Sequence, residues 1–237
     1  MSLEEKNAVV LGGTGGVGEG IVKVLLAHGI RVIVPTRSVE KGEELKAYLG
    51  EDLSRHLTIH VGTVDNEAHA SELAHYLNRE TKHIDIAVAS LGKWHQGYPL
   101  YSYPVDEWHR IIHDNITTNF LAIKSLVPLL HPRSGCFFHI NGFSAEQAYP
   151  MAGPVAMAAA AQKSLIQTLA KEVDKTGIRI FELILGPIKT RERLIPDHEN
   201  DHWYFPQEIG EYIIELVQNE TEHRLIHRLL DKKKRDG

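Results

Sequence analysis

Gly12, Gly13, Gly15, Gly16 and Gly18 fall between an apolar run, Ala8 to Leu11, and a helix-period pattern of Ile21, Val24 and Leu25. Glycines in that order let the backbone turn sharply and let an anion approach with no Cβ in the way. The helix that follows offers unpaired N–H groups and the positive end of its dipole. The chemistry is that of a phosphate cradle, and strand, glycine loop and helix form the context a dinucleotide site requires. Gly12, Thr14, Gly16, Val17 and Gly18 are the expected cofactor residues of this loop.

The end of the next apolar run reads Val34-Pro35-Thr36-Arg37-Ser38. An acidic residue there would hold the ribose hydroxyls of the adenosine, and none is present. Arg37 instead offers a cationic fork suited to a 2′-phosphate, which favours NADP(H) over NAD(H). Asp65, in Thr63-Val64-Asp65, has two compatible readings: an acceptor for the adenine amino group, or the cap of a helix starting at Asn66.

These groups are positioned by alternating elements. Strand-like runs cover 8–11, 31–35, 57–61, 84–89, 135–140 and 179–185, with a weak last strand near 224–229. Helical patterns cover 16–28, 39–49, 66–79, 105–130, 155–176 and 207–218. The central strands are nearly unbroken in Val, Ile, Ala and Phe, as strands covered on both faces should be. Repeated βα units predict an α/β, Rossmann-type, doubly wound parallel sheet of about seven strands, with ligands at the C-terminal strand ends.

A chain of 237 residues, 43% of them hydrophobic, suits one α/β domain over 1–237, and no low-complexity linker or repeat divides it. A net charge of −5 argues against nucleic acid or a membrane surface as partner. The basic cluster Lys232–Arg235 reads as a solvated tail. The charged start shows no signal peptide and no run is long enough to span a membrane, so a cytoplasmic protein is expected. The single cysteine, Cys136, reads as a small core residue. The pairs His109/His113 and His198/His202 have helical chelating spacing, but no HExxH register or third ligand accompanies them. His113 is expected to face outward, and no metal is expected.

The chain resembles the short-chain dehydrogenase/reductase family over nearly its whole length. Residues 11–18 match the Thr-Gly-x-x-x-Gly-x-Gly fingerprint with Leu11 in the threonine position. Ala89-Ser90-Leu91-Gly92 stands for the family's Asn-Asn-Ala-Gly, and Leu185-Gly186-Pro187-Ile188-Lys189-Thr190 for its Pro-Gly-x-x-x-Thr. The resemblance implies cofactor contacts at Ala89, Gly92, Gly186, Ile188 and Thr190. It assigns the family's helix-four asparagine, which holds a water and bends its helix, to Asn115. It also implies a homodimer or homotetramer through the helices over 105–130 and 155–176; the small residues Ala156–Ala161 fit such close packing.

The family's proton chemistry uses a Tyr-x-x-x-Lys pair and a serine. The same alignment puts Val155 at the tyrosine, Ala159 at the lysine and Gly142 at the serine. None of the eight tyrosines has a lysine four residues later. Candidates that remain are Asn115, with Ser144 and Tyr149 in one loop and His95 in another beside Trp94 and Tyr98. Tyr149 or His95 would be the general acid. Lys163 is expected to reach solvent or a partner subunit. Three readings stay open: an NADP(H) oxidoreductase acting on a carbonyl or alcohol with a non-standard proton donor, a nucleotide-binding pseudoenzyme acting as sensor or scaffold, and a non-redox isomerase or lyase in the same pocket.

Overall fold

Along the first strand, Ala8 and Val10 pack into one hydrophobic cluster, Val9 and Leu11 into another. The same alternation recurs at Ile86 and Val88 against Ala87 and Ala89. A period of two with apolar residues on both faces requires helices on both sides of the sheet. The computed structural model describes residues 3–191 and 201–234 and has that arrangement. His198 and Arg235, part of two motifs noted above, lie outside the described residues.

The sheet contains β1 (Asn7–Leu11), β2 (Arg31–Thr36), β3 (Leu57–Val61), β4 (Ile86–Ala89), β5 (Cys136–Gly142), β6 (Arg179–Leu185) and β7 (Ile226–Leu229). Their order is β3-β2-β1-β4-β5-β6-β7 and every pairing is parallel. Strand order reverses between β1 and β4, and ligands bind such sheets at that switch point. The helices are α1 (Gly16–Ala27), α2 (Val39–Leu49), α3 (Glu51–Ser54), α4 (Glu67–Glu80), α5 (Val105–Ile112), α6 (Thr118–Leu126), α7 (Gly153–Glu172) and α8 (Pro206–Gln218). Ile21 and Leu25 of α1 and Ile213 of α8 cover one face; Leu73 of α4, Leu121 of α6 and Ile166 of α7 cover the other. No helix among the described residues is long and apolar enough to cross a membrane.

Two expected elements differ in a way that bears on the site. The single helix expected over 105–130 is split by a π turn, His113–Thr117, and ends in a 3-10 turn, Val127–Leu129. The π turn takes the Asn115 carbonyl off the regular ladder, and it accepts instead from Asn119 Nδ2 (2.8 Å) and Gln162 Nε2. The helix expected from 155 starts earlier, at Gly153, because Pro154 supplies a preset φ in the first turn. The cap of α4 is Asn66, whose Oδ1 accepts from His69 N at 2.9 Å. Asp65 therefore does not cap that helix; its Oδ1 lies 2.7 Å from His69 Nδ1.

Candidate functional site

A continuous cleft runs over the C-terminal ends of the strands, with Ser90, Leu91, Gly92 and Lys93 lining both of its halves. The outer half, about 270 Å³, is lined by Gly12, Thr14, Arg37, Asp65 and His113 among others. The inner half, about 710 Å³, is lined by Val17, Asn115, Gly142, Ser144, Val155 and Ala159, and by Gly186, Ile188 and Thr190 from the loop after β6.

The glycine loop is built by close approach. A Cβ on Gly18 would lie 2.1 Å from the Gly12 carbonyl oxygen, so the start of α1 can sit on the turn only without one. Gly12 has φ +77°, and a Cβ there would lie 2.0 Å from the Ser90 carbonyl oxygen. Gly16 packs against the Thr190 methyl group, which ties the loop after β6 to the glycine turn. Gly16 and Gly18 thus shape the cleft without lining it. Ala89 does not reach the cleft either: it is fully buried in β4, packed among the apolar groups behind the sheet.

Arg37 is exposed at the rim of the outer half, and its guanidinium has no hydrogen bond or ion pair among the described residues. Asp65 lines the same half, its Oδ1 held by Asn66 Nδ2 (3.2 Å) and His69 Nδ1 (2.7 Å). His113 is exposed, as expected, and it also lines this half, where it makes a 2.8 Å hydrogen bond to the Asp65 carbonyl. The hydrogen bond to Asp114 pushes the His113 pKa up.

In the inner half, Asn115 clamps the loop after β4. Its Oδ1 accepts the Lys93 main-chain N–H at 3.0 Å and its Nδ2 donates to the Ile111 carbonyl at 3.0 Å. Gly92, with φ +114°, presses on the same oxygen: a Cβ would lie 2.6 Å from Asn115 Oδ1. Gly142, Val155 and Ala159 all face this half. Ser144 is buried in the wall with its Oγ 3.6 Å from where a Gly142 Cβ would stand. Trp94 and Phe143 add an aromatic wall, their rings 6.1 Å apart.

The other candidates lie elsewhere. The Tyr149 ring is packed edge-on to Phe143 (4.8 Å) and Trp94 (5.5 Å) and does not line the cleft. His95 turns away: Nδ1 is 2.6 Å from the Tyr103 hydroxyl and Nε2 is 3.8 Å from Glu107. Lys163, expected to reach solvent or another subunit, pairs with Glu146 at 2.6 Å within the chain.

A buried polar row lies behind the inner half. Asn141 Oδ1 accepts the Gly142 N–H (2.8 Å), while its Nδ2 donates to Glu182 Oε1 (2.8 Å) and to the Ala159 carbonyl (2.9 Å). His139 Nδ1 stands 2.7 Å from Glu182 Oε2, and its Nε2 stands 3.1 Å from Asn119 Oδ1. Asn119 Nδ2 donates to a carbonyl, so its Oδ1 is an acceptor and His139 Nε2 carries a proton. Each of the two groups is 1% exposed, so each depends on the other for a polar partner in the core.

Gln162, Asn141 and Lys93 also line the inner half and are not among the residues expected from the sequence. Gln162 carried a signal: it lies on one helix face with Val155 and Ala159, at i+7 and i+3. Lys93 directly follows the glycine that turns the loop after β4. The His139–Glu182 pair gave no local signal, because its members lie 43 residues apart.

An all-parallel sheet with a glycine turn and a cleft at its switch point defines a Rossmann-type dinucleotide-binding fold. The short chain dehydrogenase family model matches residues 6–195. The chain belongs to that family of oxidoreductases. It is 26% identical over 213 residues to an uncharacterized oxidoreductase of Staphylococcus aureus (strain MW2), covering 90% of each chain. Among solved structures, a short-chain dehydrogenase/reductase from Serratia marcescens BCRC 10948 superposes with a TM-score of 0.84 at 19% identity, covering 97% of this chain and 98% of that one. The Pseudomonas aeruginosa protein RhlG, in an NADP active-site complex, superposes with a TM-score of 0.82 at 24% identity, covering 97% and 96%. At these identities the structural likenesses show the fold.

Proposed function

We propose that the protein binds NADP(H) across the two halves of the cleft and interconverts a carbonyl compound and its alcohol in the inner half, without a Tyr-x-x-x-Lys pair. The observation that carries this reading is the continuity of the cleft: one wall, Ser90 to Lys93, serves both the glycine turn and the inner half. The residues fit the cofactor. Gly12 and Gly18 leave the turn open to a pyrophosphate, Asp65 faces an adenine position, and Arg37 meets a 2′-phosphate with an unpaired guanidinium. The NADP complex of the similarly folded RhlG supports the same choice. When bound, the cofactor supplies or accepts hydride. The chain's residues orient the substrate: Asn115 fixes the loop wall, Ser144 offers a hydroxyl, and Trp94 and Phe143 give an apolar face.

One observation favours a second reading. Gly142, Val155 and Ala159 face the inner half and bring no titratable group to it, which suits a nucleotide-binding sensor or scaffold that turns nothing over. Titration with NADPH and NADH, followed by a carbonyl panel on the same sample, separates the two. NADPH-selective binding with NADPH consumption is expected; selective binding with no consumption supports the sensor, and equal affinity for both cofactors overturns the role of Arg37. We also propose self-association through α6 and α7, supported by exposed Phe120 and Met157 (50% and 37% exposed). A monomer in sedimentation would overturn it.

A further inference from the structure

Among the described residues lining the inner half, one side chain titrates. Ser144, Thr190, Asn115, Asn141 and Gln162 bring hydroxyls and amides; Lys93 brings an ammonium. Three observations single it out. Lys93 lines both halves, so it stands where the dinucleotide side meets the substrate side. Its ammonium has no hydrogen bond or ion pair among the described residues. Its backbone is fixed by the 3.0 Å hydrogen bond to Asn115 Oδ1, while the side chain above that anchor is exposed and free to swing. Of the two general acids expected from the sequence, His95 is engaged with Tyr103, and the Tyr149 ring packs on Trp94 and Phe143 without lining the cleft.

We propose that Lys93 is the proton donor for carbonyl reduction in this cleft, an inference that rests on the oxidoreductase reading. The carbonyl carbon gains hydride, the cofactor's contribution, and the C=O π pair moves onto oxygen. A Lys93 N–H bond breaks as the new O–H bond forms, and the neutral amine regains a proton from solvent at the open mouth. Alcohol oxidation runs the same transfers in reverse. The ammonium also stabilises negative charge as it builds on oxygen, in a wall that holds no carboxylate among the described residues. Ser144, which lines the same half, supplies a second donor.

Two measurements test this, one of them independent of turnover. The first is the binding of 4-nitrophenol to the NADP⁺-loaded protein, read by the visible absorbance of the phenolate. The wild type is expected to take it up as the phenolate, and Lys93→Met to weaken that uptake at least about tenfold, with NADPH affinity within about twofold of wild type. The second is carbonyl reduction by Lys93→Ala, expected to fall about 10²- to 10⁴-fold and to recover with added ethylamine. Phenolate uptake by Lys93→Met equal to wild type, or unimpaired reduction by Lys93→Ala, overturns the assignment and leaves the oxidoreductase reading standing. A parallel loss of NADPH affinity makes Lys93 a cofactor contact and also overturns it. A wild-type protein that binds NADPH and reduces nothing overturns the oxidoreductase reading and the proton-donor role together.

Discussion

Asn115 and Lys93, which both line the inner half of the cleft, are joined by a 3.0 Å hydrogen bond from the Lys93 main-chain N–H to the Asn115 side-chain oxygen. The π turn at His113–Thr117 sets the asparagine at that height, and Gly92 gives the backbone the room to reach it. Asn115 is thus a positioning residue for the loop after β4. Asn115→Leu leaves that N–H without its acceptor and is expected to cost about 1–3 kcal/mol in denaturant unfolding. Asn115→Asp keeps the acceptor for Lys93 but turns the Ile111 contact into two facing oxygens, so it should restore only part of that loss in the same unfolding measurement.

Arg37→Ala removes the cationic fork at the rim of the outer half. Affinity for NADP⁺ is expected to fall roughly 10- to 100-fold while NAD⁺ affinity stays level, as loss of a charge-assisted contact of about 1.5–3 kcal/mol implies. Isothermal titration with both cofactors checks it, and an equal loss for both would place Arg37 on a group they share.

Gly18→Ala puts a methyl 2.1 Å from the Gly12 carbonyl oxygen, a backbone atom that cannot step aside. The turn has to open, and NADPH binding should be lost while the far-UV spectrum is kept. Overpacking of this kind costs about 1–3 kcal/mol, which lowers the melting temperature by several degrees.

Glu146 accepts hydrogen bonds from the Arg228 guanidinium (2.7 and 2.9 Å) and from Lys163 (2.6 Å), joining the loop after β5 to β7 and α7. The Arg228 hydrogen bond, with help from Lys163, pulls its pKa from 4.5 to about 2. A lowered carboxylate pKa contributes stability that is fully present above the unfolded value and is lost as pH falls through the folded one. Linkage sets an upper bound of about 3 kcal/mol, which solvent screening at this partly exposed site reduces to about 1 kcal/mol. Glu146→Gln should therefore melt a few degrees below wild type near neutral pH, with the gap closing as pH drops from 4.5 toward 2. A gap that persists in acid would show that packing, not charge, holds the loop.

Glu182→Leu leaves His139 in the core without its partner and is expected to cost about 3–5 kcal/mol. The double variant His139→Leu, Glu182→Leu should recover part of that, since no lone ionisable group remains. The recovery is incomplete because Asn119 and Asn141 each lose a partner. A double-mutant cycle by urea unfolding measures the coupling, and strict additivity would dissolve the pair.

The parallel sheet, the glycine turn and the helix after it were legible in the sequence. Each is written in neighbouring residues: strands as runs of apolar side chains, helices as a period near four, the turn as glycines between them. The place of Arg37 and Asp65 at the outer half was legible for the same reason, since each sits just past a strand whose end faces the cleft. The positions of Val155, Ala159 and Gly142 in the inner half also followed from spacing along one helix and one strand.

What spacing left undetermined was the direction and company of side chains joined across the fold. Tyr149 and His95 lie in the right loops, yet aromatic packing and a hydrogen bond turn them from the cleft. Ala89 follows the cofactor pattern, yet the pleat of β4 buries it. Lys93 looks in the sequence like any surface lysine; an asparagine 22 residues on pins its backbone. His139 and Glu182 meet because β5 and β6 pair in register, which sets their side chains on the same face. Local chemistry along the chain thus fixes which elements form and where a dinucleotide fits. Hydrogen bonds and packing between distant residues decide which groups reach the substrate, because a side chain's direction depends on neighbours that only folding supplies.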